Sequence, residues 1–104
     1  MNPFGGDPRK LMKQMQQMQE RVQKEIAAIE VEASSGGGMV KAVMDGEKHL
    51  KSLTIDPEVV SRDDVEMLQD LVTAAVNEAV RRVDETVKEK LGGLAGGMGL
   101  PGLG

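Results

Sequence analysis

The sequence predicts an α+β fold in one domain: a long helix, a three-stranded antiparallel sheet and a second long helix, in the order α-β-β-β-α. Three observations carry this reading. Apolar residues recur at helical spacing from Leu11 to Ile29; the stretch from Glu30 to Ile55 alternates and is broken twice by glycine-containing turns; and helical spacing returns from Leu68 to Leu91.

The first helix opens on a cap. Asp7 offers an acceptor side chain just before Pro8, whose fixed φ suits the first helical position. Leu11, Met15, Met18, Val22, Ile26 and Ile29 then make an apolar stripe, and good helix formers fill most other positions to about Ala28. Residues 1–7, with Pro3, Gly5 and Gly6, read as a loose leader.

At Glu30 the period changes. Glu30-Val31-Glu32-Ala33 alternates charged and apolar residues as a half-buried strand does, and Ser35-Gly36-Gly37-Gly38 supplies a hairpin turn. Met39 to Asp45 reads as the second strand, with Val40, Ala42 and Met44 on one face and Met39 and Val43 on the other, a pattern that predicts burial on both sides. Asp45-Gly46 marks the next turn. The third strand spans His49 to Ile55 and stops at Asp56-Pro57, because proline has no N–H to give a ladder.

Ser61 to Asp64 has the S-x-x-D form of a helix start, with acids where the helix dipole favours them. Leu68, Val72, Val76, Ala79, Val83, Val87 and Leu91 form the second stripe, and Arg81, Arg82, Lys88 and Lys90 lie toward its C-terminal end. Residues 1–91 thus make a single domain. Residues 92–104 are so rich in glycine that a disordered C-terminal tail is expected.

Composition removes several function classes. The chain has no Cys, so disulfides, thiolate metal sites and a Cys nucleophile are excluded. No apolar run approaches the roughly 20 residues needed to cross a bilayer, and the N-terminus lacks the charged-then-apolar order of a signal peptide, so no membrane is expected. The single histidine, His49, has no nucleophile or orienting carboxylate assigned to it by the sequence and reads as solvent-facing or at a dimer edge. The acids Asp56, Glu58, Asp63, Asp64, Glu66 and Asp70 lack calcium-loop spacing, and the Ser35–Gly38 run lacks the Lys-Ser/Thr of a phosphate loop. No catalytic residue, metal, cofactor or small-molecule substrate is therefore expected.

The formal net charge of -4 argues by itself against a nucleic-acid partner. Its distribution argues otherwise. Arg9, Lys10, Lys13, Arg21 and Lys24 face only Glu20 between Arg9 and Lys24, whereas Asp56 to Asp70 is almost purely acidic. Geometry adds a second expectation. Helices of roughly 30 to 40 Å overhang strands of about 23 Å, leaving apolar stripes and sheet edges bare unless two chains associate as a two-fold dimer with helices projecting as arms.

Four segments in order then resemble a known family. LMKQMQQMQERVQKEI from Leu11, SGGGMVKAVMDG from Ser35, LTIDPEVV from Leu53 and DVEMLQDLVTAAVNEAVRRVDETVKEKL from Asp64 together look like a YbaB/EbfC nucleoid-associated protein over nearly the whole chain. The resemblance implies a tweezer-like homodimer of α-β-β-β-α chains, DNA binding through the projecting helices, and a role in nucleoid organisation and gene expression in the cytoplasm. Placed on this sequence, the DNA contacts are expected from Arg9, Lys10, Lys13, Lys88 and Lys90 toward the arm ends, with Arg21, Lys24, Arg81 and Arg82 nearer the middle. Without aromatic stacking platforms on the helices, double-stranded DNA is the expected partner. The alternative from the same sequence is a protein-interaction or oligomeric scaffold module that touches no nucleic acid.

Overall fold

Asp7 caps the first helix as its position implies. In the computed structural model, which describes residues 7–97, its carboxylate accepts from the Arg9 N–H at 3.0 Å, Pro8 takes the first turn, and helix α1 runs Pro8–Ala27. Of the expected leader at residues 1–7, residues 1–6 lie outside the described residues. At the far end the Ala28 N–H reaches the Lys24 carbonyl, and Ile29 is buried at the entry to the sheet.

Strands β1 (Glu30–Ser35), β2 (Val40–Asp45) and β3 (Leu50–Ile55) form one antiparallel sheet in the order β1-β2-β3. Ala33 sits opposite Ala42, and Ala42 opposite Leu53; the second pairing is irregular between Val43 and Met44. The glycine run does turn the first hairpin, with Gly36, Gly37 and Gly38 all at positive φ, a conformation that favours glycine. Met39 belongs to that turn rather than to β2, and β3 starts at Leu50 rather than His49.

Helix α2 spans Val65–Gly97. Its cap is Asp64, whose carboxylate accepts from the Met67 N–H at 3.0 Å, while Ser61 Oγ accepts from the Asp63 N–H in the preceding turn. The S-x-x-D sequence therefore marks a turn and then a cap. At the other end α2 continues beyond the expected boundary at Leu91, through Gly92 and Gly93 to Gly97. Each glycine costs about 1 kcal/mol relative to alanine, but adding a residue to an existing helix avoids the nucleation penalty. Residues 98–104 of the expected tail lie outside the described residues.

The core is one-sided. Ala33 on β1 and Val40, Ala42 and Met44 on β2 are buried against Ala75, Ala79 and Val83 of α2, small side chains that let the helix sit close to the sheet. Ser35 Oγ donates to the Leu71 carbonyl at 2.6 Å, and Arg82 Nη1 donates to the Glu32 carbonyl at 2.7 Å, so α2 runs antiparallel to β1. The opposite face of β2 carries Lys41, exposed, and Val43 and Asp45, half-buried. Burial of β2 on both faces is thus not met among the described residues, because α1 does not fold back over that face. Nor does α2 extend over β3, which leaves Leu50 and Leu53 exposed.

Instead α1 projects. It has no buried residue and packs against α2 over only a short stretch. The chain measures 77 × 25 × 15 Å, longer than α2 alone at about 50 Å. Its radius of gyration is 20.6 Å, against about 13 Å for a compact chain of this size.

Candidate nucleic-acid interface

The geometry of α1 separates its charge from its apolar surface. At about 100° per residue, Arg9, Lys10, Lys13, Arg21 and Lys24 fall within an arc of about 120°, and Leu11, Met15, Met18, Val22 and Ile26 within an arc of about 80° on the opposite side. All five basic residues are exposed. Only Glu20 and Glu25 oppose them on the helix, and among the described residues none of the five enters an ion pair. Arg21 and Lys24 share a shallow groove with Gln17, Glu20, Glu25 and Ala28. Arg9, Lys10 and Lys13 occupy the first turns, farther from the sheet.

On α2 the four expected residues divide. Lys88 and Lys90 are exposed and unpaired among the described residues. Arg81 and Arg82 are both engaged. Glu78 receives Arg81 Nε at 3.0 Å, meets Arg81 Nη2 as well, and accepts from Arg82 Nε at 3.3 Å; Glu85 takes Arg81 Nη1 from the other side. The Arg81 hydrogen bond is the main reason the Glu78 carboxyl is lowered to about 2, with desolvation opposing it and Arg82 adding to it. The same partner raises the Arg81 guanidinium. Acids three and four residues from Arg81 and Arg82 are visible in the sequence, but Arg21, Lys24 and Lys88 have such neighbours too and pair with none of them, so spacing alone does not separate the engaged arginines from the free cations.

Both basic groups leave from one end of the sheet. Gly46 in the β2–β3 turn packs on Ile26 at the end of α1, and Lys48 in the same turn pairs with Asp84 of α2 at 2.7 Å. With Leu71 opposite Ser35 and Arg82 opposite Glu32, α2 beyond Asp84 runs past that end. The acids gather at the other end, where Asp64, Glu66 and Asp70 line a groove with Ser35, Gly36 and Met67. The molecule is therefore polarised, basic along α1 and acidic at the opposite pole, which its net charge of -4 conceals; the end of α2 is mixed, with Lys88 and Lys90 among Asp84, Glu85 and Glu89.

Four further cations lie outside the contacts expected from the sequence. Lys48 and Lys51 pair with Asp84 and Glu30, while Lys41 on the open sheet face and Arg62 beside the acidic helix start are exposed and unpaired among the described residues. His49 is solvent-facing as expected, its ring near Asp45 and Glu47, and Asp45 is lowered chiefly by the hydrogen bond it accepts from the His49 N–H. Among the described residues no acid, His or Cys cluster is arranged to hold a metal ion, and no helix is long and apolar enough to cross a membrane.

Comparison with known proteins gives this geometry a context. The model of the YbaB/EbfC DNA-binding family matches residues 5–98. The chain belongs to that family. A nucleoid-associated protein of Acetivibrio thermocellus is 55% identical over 104 residues, covering 96% of this chain and 92% of that one. One from Koribacter versatilis is 55% identical over 93 residues, covering 89% and 92%. Another, from Nocardia farcinica, is 51% identical over 107 residues, covering 99% and 97%. Among solved structures, the crystal structure of an uncharacterized protein from Helicobacter pylori superposes with a TM-score of 0.62 at 26% identity, covering 78% of this chain and 94% of that one. The YbaB/EbfC resemblance and the α-β-β-β-α order read from the sequence are both borne out.

Proposed function

We propose that this member of the YbaB/EbfC family is a non-enzymatic nucleoid-associated protein that binds double-stranded DNA as a homodimer, using Lys and Arg side chains on its projecting helices to contact phosphates. One observation carries the reading: α1 stands clear of the core with a basic face on one side and, on the other, an apolar stripe that is exposed at Leu11 and Met15 and half-buried toward Ile26. The basic face suits a polyanion of any sequence, since phosphate contacts position a protein without specifying bases. The contacts are assigned to Arg9, Lys10, Lys13, Arg21, Lys24, Lys88 and Lys90. Arg81 and Arg82, held by Glu78, contribute less in the resting state.

The apolar stripe suits a second copy. Leu11 and Met15 are each 60% exposed, and Leu91, Leu50 and Leu53 add apolar surface on α2 and β3. A soluble chain gains by covering such surface, and a two-fold pairing covers it on both copies while doubling the basic arms. The acidic pole then faces away from the duplex. A nucleoid role in the cytoplasm follows from this partner.

Sedimentation equilibrium at micromolar concentration and fluorescence anisotropy with unrelated duplexes test both halves. A dimer mass, similar affinity for each duplex and weaker binding to single strands are expected. A monomer mass would remove the dimer; a dimer that leaves DNA unbound at low salt would favour a protein-interaction module instead.

A further inference from the structure

Arg81 and Lys88 are seven residues apart on α2, so they lie on the same helix face, within about 20° of each other. Lys88 is unpaired among the described residues and Arg81 is not. Three of the Arg81 nitrogens are taken: Nε and Nη2 by Glu78, Nη1 by Glu85. Arg82 differs, because its Nη1 is spent on the Glu32 carbonyl of β1 and ties the helix to the sheet.

We propose that Glu78 sets the DNA affinity of the arm by occupying the Arg81 guanidinium in place of a phosphate. The inference rests on the DNA-binding reading above. A guanidinium presents a planar fork of donors that fits a carboxylate or a phosphate in the same bidentate way, so the two compete for it. Arg81 is 57% exposed, so a phosphate can reach its guanidinium, whereas Glu78 is 31% exposed and grips it through two nitrogens; Glu78 is therefore the competitor a phosphate must displace, and the more exposed Glu85 is the weaker hold. Arg81 is thus a reserve contact in line with Lys88, released only when a phosphate outcompetes Glu78. The carboxylate holds resting affinity down, and Arg82 remains a strut between α2 and β1.

The test is a double-mutant cycle read by fluorescence anisotropy on one duplex across salt. Glu78→Gln is expected to tighten binding about three- to fivefold at low salt, the size of one exposed pair no longer in competition, and to steepen the salt slope by about 0.9. Arg81→Gln is expected to cost little in the parent and to abolish the gain in the Glu78→Gln background. Glu89→Gln removes the same charge from the same helix without touching Arg81, and its smaller gain should be indifferent to Arg81. Should Glu78→Gln fail to fold, Glu85→Gln in the same cycle decides. Unchanged affinity, or a gain that survives Arg81→Gln, overturns the proposal while leaving DNA binding intact. A parent that binds no DNA at any salt overturns both.

Discussion

Gly46 in the β2–β3 turn lies against Ile26 at the root of α1, so closely that a Cβ there would overlap the Ile26 carbonyl oxygen and stand 2.9 Å from the carbonyl carbon and 3.1 Å from the Ile26 Cγ2. Backbone meets backbone at the point where the arm leaves the sheet. The contact fixes the exit of α1, and any side chain at position 46 must displace it. Gly46→Ala is expected to destabilise the fold by about 1 to 3 kcal/mol, the usual cost of forcing extra volume into a closed contact. Urea unfolding measures it. An unchanged midpoint would mean that α1 is not seated there.

Val83 is fully buried where α2 meets the sheet, in a core built mostly of Ala and Val. So thin a core has little slack. Val83→Ala removes two methyl groups and leaves a cavity, with an expected loss of about 2 kcal/mol. A loss under about 0.5 kcal/mol, read from the same unfolding curves, would contradict the one-sided core.

Gly92 and Gly93 are helical and a Cβ at either would meet nothing within 4 Å. Alanine there adds helix propensity without a clash. Each of Gly92→Ala and Gly93→Ala is expected to raise helix content and to stabilise the end of α2 by up to about 1 kcal/mol. Circular dichroism and hydrogen exchange at residues 88–93 report it. No gain in either would indicate that α2 stops near Leu91.

Glu78 gives the protein an acid-sensitive element on α2. Its carboxyl, ordinarily near 4.5, is lowered to about 2, chiefly by the hydrogen bond from Arg81. A depressed folded-state value stabilises the fold fully above the unfolded value and loses that contribution as pH falls through the folded one. The window therefore runs from about 4.5 down to about 2. The stability gap between the parent and Glu78→Gln should be constant from neutral pH to about 5 and narrow steadily below it. A gap that is flat down to pH 2.5 would show that the Arg81 pair adds nothing to the fold.

Periodicity made the order of elements legible. Asp7-Pro8, the glycine hairpin and the two apolar stripes each have a local chemical cause that survives without tertiary contacts. What failed was tertiary. The alternation of Val43 with Val40, Ala42 and Met44 could not tell that one face of β2 has no covering helix in the chain, because that depends on α1 projecting rather than folding back. Helix α2 passes Leu91 because propagation depends on the helix before it, which local glycine content does not report. At the interface, Arg9, Lys10, Lys13, Arg21 and Lys24 enter no ion pair among the described residues, and their clustering on α1 is legible in the sequence. The sequence groups Arg81 and Arg82 with them, because acids three or four residues away also flank Arg21, Lys24 and Lys88, and the bond from Arg82 to the Glu32 carbonyl spans 50 residues and has no sequence signal.

The proposed DNA binding depends on exposed cations of the arms meeting duplex phosphates. Affinity for one duplex, measured by fluorescence anisotropy across salt, tests it most directly when the parent is compared with a variant carrying Lys10→Gln, Lys13→Gln, Lys88→Gln and Lys90→Gln together. All four side chains are exposed and outside the core, so the variant should fold and keep the parent's oligomeric state. The parent's log-log slope should equal roughly -0.9 for each phosphate neutralised, and the variant should bind more weakly with a flatter slope, by similar factors on unrelated sequences. A folded variant that binds as tightly as the parent at every salt concentration would contradict the claim.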